Sequence, residues 1–355
     1  MDNLVLKNAF VNGRLIDITI DCQTGKIVSL AKTDEAGRDM KGAEIIPGFV
    51  DIHSHGCMGY DTMDGDKLPE MSNYLASQGT TTWCPTTMTA SVEEIRAVVC
   101  QSVMPTEGAH IAGFHLEGPY IAPKYCGAQR ADLAKVPAAA DFGDLKNVAL
   151  LTLAPELDGA IDYIKNAPFP IVLGHTAADF ETATAAFRAG ANGVTHIFNA
   201  MPPLHHREPA VIGAAMMENA YAQVICDGKH IHPAVIHALY RMFGPDRLVL
   251  ISDSMRATGL PDGMYELGGQ PVIVKDSVAR TESGALAGST STLADCVRCA
   301  VSFGIPRSDA IKMATETPAQ YLGLPKGKIA VGYDADLLVV DNELNIKEVL
   351  LCDRL

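Results

Sequence analysis

From residue 45 to residue 255 the sequence repeats one pattern eight times: a short apolar, β-rich run followed by a helical-looking segment. The runs are IIPGFVDIHSH, TTWCPTT (81–87), HIAGFHLEGP (110–119), VALLTLAPE (148–156), PIVLGHT (170–176), GVTHIFNAM (193–201), AYAQVICDGKH (220–230) and RLVLISDSM (247–255). Between them lie alanine-rich, strand-poor stretches such as DFETATAAFRAGA. Strand alternating with helix implies a parallel sheet, and eight such units imply a closed (β/α)8 TIM-type barrel.

Polar residues gather at the C-terminal ends of these runs: His53, His55, Glu117, His175, His196, Asn199, His230 and Asp253. In a (β/α)8 barrel those ends converge on one mouth, where active sites are built. His53 and His55 share a strand face, because strand side chains alternate with period two. Two imidazoles on one face can grip one ion, and the lesser alternative for the pair taken alone is two hydrogen-bonded core histidines. The recurrence of polar residues at equivalent positions favours a site.

The flanks read differently. NLVLKNAFVNG and DITIDCQTGKIVSL at one end, and KGKIAVGYDADLLVVDNELNIKEVLLC at the other, are short strand-like pieces with glycine turns. They predict a small β-sandwich domain built from both chain ends, residues 1–45 with 326–355, beside a barrel over 46–325. Two separate caps fit the same pattern.

Composition narrows the function. The formal charge of −14 leaves no basic surplus for phosphate backbones, so nucleic-acid binding is not expected. There is no run of 18 apolar residues and no signal-peptide pattern at the N-terminus, which argues against a membrane role. Nine cysteines, an odd number without a paired framework, fit a reducing cytoplasm. The CVRC stretch (Cys296 to Cys299) has no second pair and reads as helix packing.

Two histidines on one strand, a glutamate on a second and a histidine on each of two more form a mixed nitrogen and oxygen ligand set. It suits zinc, with Fe2+ or Mn2+ feasible, whereas calcium would want oxygen only. Glu117 could bridge, so His53, His55, Glu117, His175 and His196 could serve one or two divalent ions. A catalytic metal makes a nucleophile of water near neutral pH, so the reaction class is metal-assisted hydrolysis. Asp253 fits a proton shuttle, and equally a helix cap until its position opposite the ligands is counted. Downstream, NAMPPLHHREP (199–209) and DGKHIHP (227–233) collect His206, Arg207 and His230. In an acidic chain such donors suit a phosphate, although a surface ion pair would explain Arg207 from composition alone.

The motifs PGFVDIHSHG, HLEGPYIAPKYCGAQ, GHTAA, THIFNAMPPLHHREP, DGKHIHP, LISDSM and GALAGSTSTL resemble those of the N-acetylglucosamine-6-phosphate deacetylases of the amidohydrolase superfamily, over nearly the whole chain. The GYDADLLVVD ending resembles the superfamily's small β-domain. The resemblance implies that Glu117, His175 and His196 hold one metal, that His53 and His55 hold a second, and that Asp253 is the acid/base. It implies that Ala128, Asn199, Ala200, His230 and the backbone at Leu286, Ala287 and Gly288 line a sugar-phosphate pocket. Arg207, with His206 beside it, would contact phosphate from the neighbouring subunit of a homodimer. Gln129 stands where the family often has histidine, so its side-chain amide would make the substrate contact. SDSM in place of SDAM is expected to be neutral. The implied reaction releases acetate from N-acetylglucosamine 6-phosphate.

Three rivals follow. One is the galactosamine epimer as substrate. Another is a cyclic amidase or deaminase, disfavoured because strand four ends LAPE without a bridging lysine. The last is a non-catalytic barrel, disfavoured because every ligand candidate and the aspartate are present.

Overall fold

A computed structural model describes residues 3–101 and 107–354. The outermost residues of the expected terminal domain, Met1, Asp2 and Leu355, lie outside that range. Eight parallel strands form the barrel wall in chain order: β1 (Phe49–Ser54), β2 (Thr80–Thr87), β3 (Phe114–Glu117), β4 (Val148–Leu153), β5 (Ile171–Leu173), β6 (Gly193–Val194), β7 (Tyr221–Ile225) and β8 (Leu248–Ile251). Continuous ladders join β1 to β8 through every neighbour. The ring then closes just past the strand ends, where Asp253 N–H donates to the His53 carbonyl (2.9 Å) and His55 N–H donates to the Ser254 carbonyl (2.8 Å).

The strands are buried on both faces, which is why they read as unbroken apolar runs rather than alternating ones. Leu151, Leu153, Ile171, Leu173, Leu248 and Leu250 pack into the large cluster shared with the helices. Residues of opposite parity, Leu150, Val172, Ile225, Val249 and Ile251, join a separate smaller cluster. Loops lead from the strands into helices, some of them capped by side chains. Asp179 caps Phe180–Ala189 after β5, and Thr292 caps Leu293–Ser302 while its own N–H donates to the Asp295 carboxylate.

Strands from both chain ends form one seven-stranded sheet, in which Glu44–Pro47 pairs with Leu337–Val340. It has its own apolar cluster around Leu6, Ile18, Ile20, Ile27, Ile45 and Leu337. A three-stranded antiparallel sheet, Gly263–Leu267, Gln270–Lys275 and Val278–Thr281, follows β8. The sequence reading did not anticipate this insert. Its apolar face packs Leu267, Val272, Val274 and Ala279 against Met88, Met255 and Ala287, which places the insert beside the barrel mouth.

Candidate active site

At the C-terminal ends of the strands the predicted residues meet. Glu117, the last residue of β3, is 2% exposed and sits at the centre. Its Oε1 lies 2.8 Å from His196 Nε2, 3.2 Å from His175 Nε2 and 3.4 Å from His53 Nε2. Its Oε2 lies 3.1 Å from His55 Nε2. Two triads of ligand atoms therefore share one carboxylate, His53–His55–Glu117 and Glu117–His175–His196, each with all its atoms within 4.8 Å of one another.

The outer nitrogens show what these rings are arranged for. His55 Nδ1 donates to the Thr86 carbonyl (3.1 Å), and His175 Nδ1 donates to the Tyr125 carbonyl (2.9 Å). A carbonyl only accepts, so the proton of each neutral ring is on Nδ1 and the Nε2 lone pair points inward. His53 Nδ1 is held by Gln223 Oε1 at 3.2 Å. Inward-facing nitrogens then crowd each other, 3.2 Å apart for His53 and His55 and 3.1 Å apart for His175 and His196. Lone pairs at that separation call for a positive charge between them. Burial lowers the His55 pKa, but the Asp253 and Glu117 carboxylates outweigh it and raise it well above its ordinary value. The donor set fits a divalent cation in either triad, or in both.

Asp253, two residues past β8, faces the first triad, with Oδ1 3.3 Å from His55 Nε2 and 3.4 Å from His53 Nε2. Burial would raise its carboxyl pKa, but the His53 and His55 imidazoles hold it below the usual range, so it is ionised. Three of these residues, His175 (φ +47°), His196 (+26°) and Asp253 (+47°), adopt left-handed backbone. Non-glycine residues reach that region only where surrounding structure enforces it, and such strain clusters at functional sites. Here the turn follows each short strand and swings the side chain over the mouth.

His55, Glu117, His175, His196 and Asp253 line a cavity of about 290 Å3. Its wall also includes Ala128, Gln129, Asn199, Ala200, His230, Leu286 and Gly288. His53 and Ala287 lie behind it, both buried, and Ala287 N–H bonds the Ala279 carbonyl of the insert. Gln129 has partners within the protein as well. Its Oε1 accepts the Thr89 N–H (2.6 Å) and its Nε2 donates to Glu117 Oε2 (2.5 Å), so the amide braces the central carboxylate from the cavity wall. Arg207 and His206 are not at this cavity. Arg207 Nη1 lies 3.0 Å from His206 Nε2 on an exposed loop, and Arg207 lines a separate surface depression with Asp179, Glu181 and Glu208.

Sequence reasoning missed several residues. Met88, Phe198 and Leu267 complete the apolar wall, and Gln223, Thr86 and Tyr125 orient the imidazoles. His115 sits beside His53 (ring centroids 4.6 Å apart), bonded to the Ile52 carbonyl and to Thr152 Oγ1. Thr86, Met88, Gln223 and Leu267 lie in no resemblance motif, and His115, Tyr125 and Phe198 lie inside HLEGPYIAPKYCGAQ and THIFNAMPPLHHREP without a local pattern that gives them a role.

The geometry can be set beside known proteins. An N-acetylglucosamine-6-phosphate deacetylase of Vibrio furnissii is 39% identical over 330 residues, covering 88% of this chain and 82% of its own. An N-acetylgalactosamine-6-phosphate deacetylase of Escherichia coli O157:H7 is 37% identical over 336 residues, covering 89% and 88%. A solved mutant of the Mycobacterium smegmatis N-acetyl-D-glucosamine-6-phosphate deacetylase, in complex with N-acetyl-D-glucosamine-6-phosphate, superposes with a TM-score of 0.91 at 32% identity, covering 99% of both chains. The model of the amidohydrolase family matches residues 45–352, nearly the whole chain, and the protein belongs to that family.

Proposed function

We propose that this protein hydrolyses the acetamide of N-acetylglucosamine 6-phosphate to glucosamine 6-phosphate and acetate. The observation that carries this reading is the shared carboxylate: Glu117 stands in both metal-capable triads, opposite Asp253, at a cavity of sugar dimensions. The names of the relatives support the substrate class.

His53 and His55 with Glu117, and Glu117 with His175 and His196, would hold one or two ions, with zinc the best match to imidazole-rich donors and iron or manganese alternatives. Bound there, a divalent ion supplies Lewis acidity toward the amide carbonyl and lowers the pKa of a water molecule. The protein's own part is proton handling and alignment. Asp253 Oδ1, ionised and aimed at the first triad, accepts a proton from the attacking water and returns it to the amide nitrogen, because an amine leaves only when protonated. The new C–O bond and the broken C–N bond give acetate and the free amine. Tight bracing of Glu117 by Gln129 keeps the ligands in place without reorganisation.

Among the residues lining the cavity there is no lysine or arginine. A phosphate dianion bound there needs a cation from elsewhere, and the exposed Arg207 of a second subunit is the donor we infer, which makes the working unit a homodimer. The terminal sheet, residues 1–45 with 326–355, is read as a separate small domain that takes no part in the chemistry. Nine free cysteines support a reducing, cytoplasmic setting, and among the described residues no helix is long and apolar enough to cross a membrane.

The test is kcat/KM for N-acetylglucosamine 6-phosphate, N-acetylgalactosamine 6-phosphate and unphosphorylated N-acetylglucosamine. A strong preference for the first supports the full reading. Preference for the galacto epimer would move the substrate to the second named class, and indifference to phosphate would remove the phosphate site.

A further inference from the structure

The DGKHIHP segment after β7 contains a carboxylate that the chemistry above leaves unused. Asp227 lies two residues past the strand, with its side chain 1% exposed. Both its oxygens are committed. Oδ1 accepts the backbone N–H groups of Lys229 (2.8 Å) and His230 (2.9 Å), and Oδ2 accepts His230 Nδ1 at 2.8 Å. Burial would raise the Asp227 pKa, but the bonds from His230 and Lys229 hold it below its ordinary value. An ionised carboxylate only accepts, so Nδ1 of His230 carries a proton. The ring lines the active-site cavity, and its Nε2 has no hydrogen-bond partner among the described residues.

The thiols near Asp227 add no competing charge. Cys226 on the same segment and Cys296 and Cys299 on the helix Leu293–Ser302 are thiols whose pKa burial pushes up, so they are neutral. The Lys229 ammonium is turned away, onto the Ser277 carbonyl.

The geometry points to Asp227 as the positioning residue for His230: it fixes the ring plane, holds the proton on Nδ1 and provides the counterion that lets a proton on Nε2 face the substrate's phosphate. A phosphate dianion accepts hydrogen bonds and donates none, and His230 is the cavity-lining imidazole that stands in neither metal triad. With phosphate bound, a second proton on Nε2, balanced by the buried Asp227 carboxylate, would make His230 a charged donor from this chain beside the Arg207 of a second subunit. The role toward phosphate rests on the deacetylase reading. The geometry of the pair does not.

Asp227→Asn separates a positioning role from a purely structural one. Its amide oxygen keeps both backbone bonds, while its NH2 group turns a donor toward Nδ1 and forces the ring proton onto Nε2. For the phosphorylated substrate, KM should rise about tenfold, because Nε2–H still donates but the ring has lost the carboxylate that supports its positive charge, with kcat within about twofold. For the unphosphorylated sugar, kcat/KM should change by less than about twofold. Combined with His230→Gln, Asp227→Asn should add almost nothing, because it acts only through that ring. An unchanged KM, equal losses on both sugars or additive effects would overturn the proposal. If Asp227→Asn does not fold, 15N spectra of histidine-labelled wild-type protein decide, with the His230 signal assigned from His230→Gln. A proton on Nδ1 supports the pair, and a bare Nδ1 refutes it. Wild-type protein inactive on the phosphosugar would remove the deacetylase reading, and with it the phosphate role, while the spectrum would still report on the pair.

Discussion

Replacing Gln129 with alanine tests how the central carboxylate is held. The side chain is 5% exposed and bridges two segments, accepting the Thr89 N–H at 2.6 Å and donating to Glu117 Oε2 at 2.5 Å. Truncation strands a buried backbone donor, which costs about 1–3 kcal/mol, and removes a hydrogen bond to a charged acceptor worth about 1.5–3 kcal/mol. The site opens to a cavity, so water will replace part of this, and a net loss of about 2–3 kcal/mol is expected in metal-free protein. Freed from its brace, Glu117 Oε2 can rotate away from His55, and metal affinity should fall about 10–100-fold. Urea unfolding of chelator-treated protein reads the first quantity, and metal titration reads the second. Gln129→His, which restores a donor, should recover most of the affinity. Unchanged metal affinity in Gln129→Ala would refute the bracing role, whatever happens to stability.

Three further outcomes follow. Asp253→Asn keeps the shape but cannot accept a proton, so kcat should fall by about 10²–10⁴ with metal content unchanged, and an active variant would end the shuttle role. Arg207→Ala should raise KM for the phosphosugar and spare metal content, whereas an unchanged KM would remove Arg207 from phosphate binding. Asp17, buried in the terminal sheet, has a pKa that burial would raise but that bonds from Asn8, Lys32 and Thr33 lower to about 2. A carboxyl depressed on folding stabilises above its unfolded pKa, and that stabilisation is lost as pH falls from about 4 toward 2. The Tm deficit of Asp17→Asn should therefore be largest near neutral pH and shrink below pH 4, and a constant deficit would contradict the assignment.

Much of the barrel was legible because parallel strands buried on both faces leave apolar runs, and because ligands sit where those runs end. His53 and His55 announce their shared face by their spacing, and Glu117 ends β3 as the HLEGP motif implied. Boundaries were less legible. GVTHIFNAM reads as one strand, yet β6 stops at Val194 and the chain turns through left-handed His196, Phe198 and Ala200 to aim the imidazole inward. HIAGFHLEGP is likewise broken, with Gly113 at φ +130° between His110–Ile111 and β3. The insert at 263–281 was readable in principle, since two alternating segments flank the Gly268–Gly269 pair, a hairpin signal. The bracing of Glu117 by Gln129 was not readable: it depends on Thr89, 40 residues away, which no local pattern ties to the site. Asp227 and His230 lie three positions apart inside DGKHIHP, but the sequence does not show that the carboxylate turns onto the ring.

The central claim is that acetate release depends on cations held between the triads that share Glu117. The direct measurement is acetate production from N-acetylglucosamine 6-phosphate by chelator-stripped protein, before and after stepwise addition of zinc, with bound metal counted at each step. The account predicts negligible release from stripped protein and activity that climbs with occupancy, saturating at one or two ions per chain. Full activity in protein verified to be metal-free would contradict it, and so would complete loading with no release.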